Sequence, residues 1–232
     1  MNAGKTSPVA PEYDQKIEIT MPMYRLFHTE TIDLIKSIHP APGKWLDTGC
    51  GTGNLILSAL KTFDCTKFVL ADPSTEMINI VRKKLSCSRD RLDRRAQIEL
   101  LPPVASENIG LPDWEFDIVT AIQVHHFLSP EERKRATGNC FRMLKPQGIY
   151  ITFENIRPFS ETGVAIGLAR WKQYQITQGK SKEEAEKHIQ RFDQEYFPIN
   201  IKEHLLLLKE AGFSMAEVFW VSFMQAGFYA VK

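Results

Sequence analysis

Short apolar runs alternate with helical stretches along much of this 232-residue chain, and this alternation is what most constrains its fold. Between residues 44 and 154 the predicted strands and helices occupy the ranges 44–47, 54–62, 67–71, 75–85, 97–101, 116–122, 131–144 and 149–154. Strands joined by helices need crossover connections, which are right-handed and leave the strands parallel. The pattern therefore predicts an α/β fold with a mostly parallel sheet covered by helices on both faces.

Two helical stretches, 161–178 and 181–196, interrupt this rhythm where a single crossover helix is expected. We interpret residues 159–197 as an inserted helical cap. The chain then returns through a helix over 202–211 and two β-rich runs, 215–221 and 224–231. Because only about two residues separate these runs, they predict an antiparallel hairpin at the edge of a seven-stranded sheet.

Local signals mark several helix boundaries. Apolar residues at helical spacing predict a helix over 23–38, which ends at the His-Pro-Ala-Pro-Gly sequence of residues 39–43. Ser129 and Glu132 form a predicted capping box, and Ser181 and Glu184 form another. Residues 1–12 offer little that can be buried and predict a flexible tail, so we expect one domain over residues 13–232.

The charge balance and the cysteine content limit which cellular compartment and which binding partners we expect for this chain. The chain has 29 Lys and Arg and 28 Asp and Glu, so its net charge is only +1. Such a small charge does not attract the chain to nucleic acid, which we therefore do not expect as a partner. No apolar run reaches the roughly 20 residues of a membrane span, and the four cysteines form no C-x-x-C pair. We expect a soluble cytoplasmic protein without a membrane partner, and the sequence leaves a homo-oligomer open.

The strongest chemical signal is Trp-Leu-Asp-Thr-Gly-Cys-Gly-Thr-Gly-Asn at residues 45–54, between the first predicted strand and its helix. Glycines there let the backbone turn tightly and approach a ligand, at the strand end where open α/β sheets bind cofactors. NAD is disfavoured because Asn54 occupies the position of the third fingerprint glycine. A P-loop is excluded because no Gly-Lys-Ser/Thr follows.

The Asp-x-Gly-x-Gly-x-Gly pattern resembles the first motif of the class I S-adenosylmethionine-dependent methyltransferases, and the resemblance extends from about Tyr13 to the C-terminus. It implies a Rossmann-like sheet of order 3-2-1-4-5-7-6 and S-adenosylmethionine as the cofactor. It also implies that the methionine part lies against a short set of loop residues, namely Asp47, Gly49, Cys50 and Gly51. We interpret Cys50 as a packing residue and not as a nucleophile.

The second and third predicted strands end in further candidate cofactor residues. By resemblance, Asp72 binds the ribose hydroxyls, with Pro73 as a further cofactor contact; the alternative for Asp72 is the N-cap of the next helix, for which Ser74 is the better candidate. Met77 is either an adenine contact or a core residue. The family usually places an Asp after the third strand to receive the adenine amino group, but residues 101–108 read Leu-Pro-Pro-Val-Ala-Ser-Glu-Asn. Val104 and Ala105 can supply an apolar wall and a backbone N–H there, and the polar partner of adenine stays unassigned.

The fourth predicted strand ends in Gln-Val-His-His-Phe at residues 123–127, which resembles the family's motif beside the sulfonium and the acceptor. Gln123 and His125 are candidate cofactor contacts. His126 is a candidate base, since a histidine titrates near neutral pH. Structural hydrogen bonding is an alternative for the histidine pair, and so is a metal site, although a third ligand at suitable spacing is missing. No metal is therefore expected.

Two segments are predicted to close over the site. Tyr13 lies in the segment that resembles the N-terminal strap of small-molecule methyltransferases, and we predict a catalytic role for it. The candidate acceptor-binding residues are Tyr24, Arg157, Arg170, Trp171 and Tyr174. Packing between helices or exposure at the surface is the alternative for each of them.

The resulting prediction is a methyltransferase that moves a methyl group from S-adenosylmethionine directly, in line, to a small-molecule acceptor. One alternative is a regulatory or partner protein that binds S-adenosylmethionine without turnover. Others are a carboxy-S-adenosylmethionine synthase, which keeps the fold and changes the cofactor, and a tRNA-modifying enzyme. The identity of the acceptor and of its reacting atom stays open.

Overall fold

A single mixed sheet organises the part of the chain that the computed structural model describes, residues 10–88 and 97–232. Seven strands lie within those ranges in the order β3-β2-β1-β4-β5-β7-β6, which confirms the predicted order. They are β1 (Lys44–Thr48), β2 (Lys67–Ala71), β3 (Gln97–Leu100), β4 (Phe116–Ile122), β5 (Leu144–Asn155), β6 (Met215–Ser222) and β7 (Gln225–Val231).

The direction of the strands determines where the loops meet. Strand β1 pairs in parallel with β2 and β4, and the parallel set extends to β3 on one side and β5 on the other. Only β7 and β6 add antiparallel pairs, as the terminal hairpin predicted. The loops after β1, β2, β3 and β4 therefore lie side by side at the carboxyl edge of the sheet.

The helices cover both faces, as expected for parallel strands that are buried on both sides. They are α1 (Ala10–Thr20), α2 (Tyr24–Ile38), α3 (Asn54–Ala59), α4 (Thr75–Ser88), α5 (Pro130–Met143), α6 (Glu161–Thr177), α7 (Lys182–Ile189) and α8 (Ile201–Glu210). Side chains from α2, α3 and α4 form one apolar core with the sheet, and those from α5 and α8 form the other. No helix within the described ranges is long and apolar enough to cross a membrane.

Two capping boxes begin helices at the predicted residues. The Ser129 hydroxyl accepts the backbone N–H of Glu132 at the start of α5, and Ser181 does the same for Glu184 at the start of α7. Helix α7 ends at Ile189, however, and not at residue 196 as predicted. The chain turns there because Phe192 and other cap side chains are drawn into an apolar cluster with Trp171.

Strand β5 also begins earlier than predicted. Residues 145–148 belong to the strand as an irregular segment opposite the start of β4, whereas the sequence indicated a turn before residue 149. Gln147 adopts the left-handed conformation there, with φ 64°. Strand β5 thus contains extra residues at this irregularity, and its pairing with β4 continues after them.

Helix α1 begins at Ala10, so residues 10–12 do not belong to the predicted tail, and residues 1–9 lie outside the described ranges. Pro11 is compatible with this start because proline is tolerated in the first turn of a helix. The helix is held at its far end by α6. The Trp171 Nε1–H donates to the Thr20 carbonyl at 2.8 Å, and the Tyr174 hydroxyl donates to the Glu18 carbonyl at 3.0 Å.

Asp14 holds the other end of α1 against the loop after β1. Its Oδ1 accepts the Thr52 hydroxyl at 2.6 Å and the Asn54 amide at 2.8 Å, and its other oxygen pairs with Lys84. Burial opposes ionisation of this carboxyl, but the hydrogen bond from Lys84 and the two others lower its pKa. Helix α1 is therefore a strap fixed to the sheet loops at one end and to the inserted helices at the other.

An apolar cluster fills the space between this strap, the inserted helices and the sheet. We call it the cap cluster. Its buried members are Met21, Phe27, Phe153, Val164, Trp171, Phe192, Tyr196 and Met224. The Phe27 and Phe153 rings stack with centroids 4.8 Å apart, which joins α2 directly to β5. The cap is thus packed onto the sheet by aromatic contacts as well as by hydrogen bonds.

Replacing Asp14 by alanine should release the N-terminal part of α1. We expect faster hydrogen exchange over residues 10–20 and a small change in the global melting temperature, because Asp14 is partly exposed and its ion pair is screened by solvent. Mass spectrometry of exchanged peptides measures this. Glu18→Ala, also in α1, is the control, since the Glu18 carboxylate forms an ion pair with the exposed Arg25 of α2. Equal rates of hydrogen exchange over residues 10–20 in the Asp14→Ala and Glu18→Ala variants would contradict the role of Asp14 in fixing α1.

Candidate active site

Asp47 lies at the carboxyl end of β1, buried and with only 2% of its surface exposed. Its Oδ1 accepts the Thr120 hydroxyl from β4 at 2.7 Å. Burial raises the pKa of this carboxyl to about 7, the Thr120 hydrogen bond opposes the rise, and the nearby charge of Asp72 adds to it. The carboxylate has no cationic partner among the described residues, so a ligand cation placed here would stabilise its charged form.

Gly49 and Cys50 turn the chain away from β1. Both backbone N–H groups donate to the Ala71 carbonyl of β2, at 2.7 and 2.9 Å. Gly49 has φ 119°, and a Cβ built there would overlap the Val124 side chain. Burial raises the pKa of the Cys50 thiol well above its usual range, which agrees with a packing residue. This part of the loop is therefore held tightly between β2 and the end of β4.

Gly51 differs from Gly49 in what surrounds it. Its backbone N–H donates to Asp72 Oδ2 at 2.9 Å, and its φ is 52°. A Cβ built on Gly51 would meet no atom within 4 Å. The backbone at this residue therefore borders open space, as a loop that approaches a ligand closely requires.

Asp72 joins the loops after β1 and β2. Oδ2 accepts Gly51 N–H, and Oδ1 accepts Ser74 N–H at 2.8 Å. The Ser74 hydroxyl caps α4 by accepting the Met77 N–H at 3.3 Å, so the aspartate is not needed as the helix cap. Burial raises the pKa of Asp72. A carboxylate has about four acceptor positions, so both oxygens can still accept hydroxyl groups.

Pro73 and Met77 frame this carboxylate. Pro73 is exposed in the turn after β2, and Met77 is buried in the first turn of α4. Both residues therefore lie near Asp72, the burial of Met77 agrees with a core role, and contact of either residue with the cofactor stays a prediction.

The loop after β3 lies against the same strand ends. The Val104 N–H donates to the Asp72 carbonyl at 3.0 Å, and the Ser106 hydroxyl donates to the Thr48 carbonyl at 3.0 Å. Val104 and Ala105 are half-buried between these two anchors. The structure thus brings both predicted residues close to Asp72, and their contact with the cofactor stays a prediction.

Gln123 follows β4 in a conformation that is uncommon for its residue type. Its φ is 60°, and its backbone N–H donates to the Phe153 carbonyl at 2.7 Å. Both side-chain amide atoms are buried, and neither has a hydrogen-bond partner among the described residues. Strained backbone and buried unpaired polar atoms are both costly, and strained residues cluster at ligand sites. Gln123 is therefore the clearest mark of a ligand at the end of β4.

Glu154 of β5 fixes the turn that follows Gln123. Its carboxylate accepts the backbone N–H of His125 at 3.1 Å and of His126 at 2.9 Å, and its Oε2 lies 2.6 Å from His126 Nδ1. Burial opposes ionisation most strongly, but the hydrogen bond from His126 and the electrostatic attraction of the neighbouring histidines together outweigh it and lower the pKa of Glu154 to about 2. These contacts favour structural hydrogen bonding for His126, and its role as a base stays a prediction.

His125 lies on the side of the sheet that α5 and α8 cover. Its ring nitrogen Nδ1 is 3.2 Å from the Tyr150 hydroxyl, and its Nε2 is buried without a partner among the described residues. The ring borders a cavity of about 10 Å³, which has room for about one water molecule. Burial lowers the pKa of His125 to about 4. This ring is a neutral core group at physiological pH.

Arg133 is a functional-site residue that the sequence did not reveal. It is buried, and its guanidinium donates to the carbonyls of His125 at 3.0 Å, Leu128 at 3.2 Å and Phe197. The Phe197 N–H in turn donates to the His126 carbonyl at 2.6 Å. The end of the inserted segment is thus bound to the turn after β4. A single arginine in a charged helix gives no sequence signal for such a role.

Three of the predicted acceptor residues, in or directly before the cap, contact the strap or carboxylates of the cap. Trp171 and Tyr174 hold the strap, as described above. Arg157 pairs with Asp193 and Glu161, at 2.6 and 3.0 Å. These contacts favour packing roles, and acceptor binding by these residues stays a prediction.

Three further candidates occupy different surroundings. Arg170 is exposed and lies over the Phe223 ring, 4.1 Å from its centroid. Tyr24 packs edge-on against Phe27 of the cap cluster, with centroids 5.9 Å apart. The backbone of Tyr13 belongs to α1, but its side chain lies outside the described atoms, so its catalytic role is not placed.

A cleft of about 400 Å³ opens at the opposite, amino edge of the sheet. Its acidic residue, Asp117, already binds Lys145 at 2.8 Å and the Lys44 N–H at 2.8 Å. None of the buried unpaired polar atoms found in the described residues borders this cleft. No group of three or more His, Cys, Asp or Glu within the described ranges is arranged for a metal. The ligand chemistry is therefore at the carboxyl edge.

Comparison with known proteins agrees with this geometry. A family model described as a methyltransferase domain matches residues 46–150. The carboxy-S-adenosyl-L-methionine synthase of Campylobacter lari is 25% identical over 221 residues, which cover 93% of this chain and 89% of that protein.

Solved structures show the same fold. A SAM-dependent methyltransferase from Thermotoga maritima aligns with a TM-score of 0.60 at 18% identity, over 96% of this chain and 95% of that one. A SAM-dependent methyltransferase from Aquifex aeolicus aligns with a TM-score of 0.61 at 19% identity, over 94% and 97% of the two chains.

The domain match over residues 46–150 and the fold shared with the solved structures agree with the predicted similarity to class I S-adenosylmethionine-dependent methyltransferases. The residues at the carboxyl edge fit the cofactor. Gly51 borders open space, Asp47 is a buried acid without a cationic partner in the described part of the chain, and Asp72 retains free acceptor positions. These residues would hold the ammonium group, the methionine chain and the ribose of S-adenosylmethionine.

The two loop glycines should respond differently to alanine. Gly51→Ala should fold, and its free energy of unfolding should fall by about 1 to 2 kcal/mol because alanine disfavours the left-handed backbone of this residue. It should bind S-adenosylhomocysteine much more weakly, because the new Cβ would occupy the space proposed for the ligand. Gly49→Ala, the matched variant, should lose stability severely because its Cβ overlaps Val124. Thermal melts and calorimetric titration measure both. Undiminished binding by Gly51→Ala would show that the ligand does not approach this residue.

The raised pKa of Asp47 predicts how stability varies with pH. The native state holds this proton more tightly than the unfolded chain, because the pKa is about 7 instead of 3.8. Stability without cofactor should therefore fall as the pH rises through 7. Asp47→Asn should flatten this dependence and melt at a higher temperature than the parent at about pH 8. If the melting temperatures of the parent and of Asp47→Asn change in parallel from about pH 6 to 8, the description of Asp47 as a buried, unpaired acid is wrong.

Proposed function

We propose that this protein transfers the methyl group of S-adenosylmethionine to a small-molecule acceptor bound beneath the strap and the inserted helices. The observation that carries the proposal is the buried, unpaired amide of Gln123 at the end of β4. Buried polar groups in native proteins nearly always have partners, so this amide calls for a ligand with a complementary donor and acceptor. The acceptor molecule is that ligand.

The enclosure of the site supports a small acceptor. Helix α1 is tied to the loop after β1 through Asp14 and to α6 through Trp171, so it runs over the carboxyl edge. The cap cluster beneath it is largely aromatic. Small-molecule sites are concave and mostly apolar with a few placed polar groups. A polymer such as tRNA would need an open, basic surface, and the chain carries a net charge of only +1.

S-adenosylmethionine supplies, when bound, a methyl group on a positively charged sulfur, which is already a good electrophile. The protein therefore has mainly to orient the acceptor relative to the methyl group and to exclude water from the site. Ionised Asp47 would pair with the ammonium group, and Asp72 would accept the ribose hydroxyls. Gln123 would orient the acceptor, while the strap and cap keep water out. This arrangement requires no dedicated base when the acceptor atom is nucleophilic without first losing a proton.

A second candidate function is carboxy-S-adenosylmethionine synthesis, because the full-length relative from Campylobacter lari carries that name. Such a product has an additional carboxylate, which requires a nearby cation. Among the described arginines in or directly before the cap, Arg157 is paired with two carboxylates, Arg191 pairs with Glu195, and Arg170 lies over an aromatic ring. These pairings favour methyl transfer over the carboxylated product.

Mass spectrometry of the nucleoside product separates the candidates. The protein is incubated with S-adenosylmethionine and either a panel of small nucleophiles or a panel of carboxyl donors. Methyl transfer produces S-adenosylhomocysteine and an acceptor heavier by one methyl group. A nucleoside that gains a carboxylate instead would establish the second function, and binding without any turnover would favour a regulatory role.

The same assay tests Gln123. Gln123→Leu should melt at a higher temperature without ligand, because two unpaired buried atoms are removed, and should keep cofactor binding while losing acceptor turnover. Gln173→Leu, at an exposed position of α6, is the matched control and should change neither property. Full turnover by Gln123→Leu would refute the acceptor role of this amide.

A further inference from the structure

Two buried nitrogen atoms without a partner lie in the inserted helices α6 and α7. Gln175 of α6 is completely buried, and its Nε2 atom donates to no atom of the described residues. The Nε2 atom of His188 in α7 is also buried and has no partner within the described ranges. Buried polar atoms nearly always have a hydrogen-bond partner, so this part of the cap calls for one that the described chain does not supply.

Lys180, in the turn between these helices, is coupled to both side chains. Its ammonium group donates to Gln175 Oε1 at 2.8 Å, which places the nitrogen of the same amide beside the lysine. Because lysine has only donors, it bonds the amide oxygen and leaves that nitrogen as an unused donor. Burial lowers the pKa of His188 to about 3, and the nearby charge of Lys180 adds to this effect. The three side chains therefore form one polar cluster.

The electrostatic surroundings of this lysine are largely positive. Burial lowers the pKa of Lys180 to about 8, the attraction of Glu184 opposes the fall, and the charges of Arg191 and Lys16 add to it. Lysine keeps its charge more easily when an anion lies beside it. The lowered pKa thus agrees with a half-buried cation that lacks a close counter-ion within the described chain.

The acids nearest to the cluster are engaged elsewhere. The Glu184 carboxylate accepts the Ser181 hydroxyl at 2.9 Å and the Ser181 N–H at 3.1 Å, and Glu195 forms an ion pair with Arg191. Among the described residues, no carboxylate forms an ion pair with Lys180, whose ammonium group bonds the Gln175 amide instead. An anion from outside the chain would therefore meet an unneutralised cation here.

The turn that contains Lys180 borders open space. Gly179 follows α6 in the left-handed conformation, with φ 102°, and a Cβ built on it would meet no atom within 4 Å. The charge of Lys16, which acts on Lys180, belongs to α1. The cluster thus lies where the strap meets the inserted helices, and a small molecule can reach it from the turn.

We propose that Gln175, Lys180 and His188 bind the carboxylate of a small organic acid at the joint between the strap and the inserted helices. The amide nitrogen and the ammonium group are donors, and the neutral imidazole adds a third when its proton is on Nε2. Several donors around one positive charge match a singly charged oxyanion. The bound carboxylate pairs with Lys180 and offsets its repulsion from Lys16, so it holds α1 more firmly. None of these residues takes part in the proposed methyl transfer.

Thermal melts of the full chain at pH 7.5, in sodium acetate and in sodium chloride of equal ionic strength, test this site. Acetate should raise the melting temperature in a saturable way, by about 3 °C or more when most sites are filled. Lys180→Met should abolish this rise, and Gln175→Leu should weaken it. Lys180→Arg, which keeps the charge, and Lys182→Met, at an exposed position of α7, should retain it.

Equal melting temperatures of the parent in acetate and in chloride would overturn the proposal, and so would an acetate effect that survives in Lys180→Met. A rise with inorganic phosphate but not with acetate would overturn the assignment to a carboxylate. If Lys180→Met does not fold, Gln175→Leu decides the question, since it removes a buried unpaired donor and should fold.

The same melts with saturating S-adenosylhomocysteine distinguish two sources of the carboxylate, because the amino-acid end of that nucleoside also has one. The acetate effect should persist, as expected for a site separate from the cofactor. Loss of the effect would show that the cluster receives the nucleoside's own carboxylate and would overturn a separate site.

Discussion

The hydrogen bond from the Gly51 N–H to the Asp72 carboxylate is the contact around which the carboxyl edge of the sheet is organised. It ties the loop after β1 to the loop after β2, and the carbonyl of Asp72 receives Val104 N–H from the loop after β3. One residue thus holds three loops together. Because these bonds use only part of the acceptor capacity of Asp72, the same residue can organise the loops and still bind a ligand.

A second polar network serves the other end of the site. Glu154 holds two successive N–H groups of the turn after β4, and Arg133 binds that turn to the end of the inserted segment. Buried networks of this kind are stable only when nearly every member is satisfied. Gln123, directly before this turn, has a buried side-chain amide without a partner among the described residues. In the proposed function, the first network serves the cofactor and the second serves the acceptor.

Local signals in the sequence predicted the alternation of strands and helices, the capping boxes at Ser129 and Ser181, and the glycine loop, because each depends on residues close together in the chain. The contacts of Asp14 could not be predicted from local sequence, because its partners Thr52 and Lys84 lie 38 and 70 residues away along the chain. The end of α7 was misplaced for a related reason, as the position of the chain there is determined by tertiary packing in the cap cluster. Such long-range contacts override helix propensity.

The double attachment of α1 has a consequence for the order of events in a catalytic cycle. The same helix touches the loop after β1, which is proposed to face the nucleoside, and helix α6, which is proposed to enclose the second substrate. In the proposed reaction, opening for one molecule would therefore loosen the walls around the other. Exchange of the spent nucleoside and departure of the finished product would become parts of one motion, and the pace of the cycle would depend on how often this helix detaches.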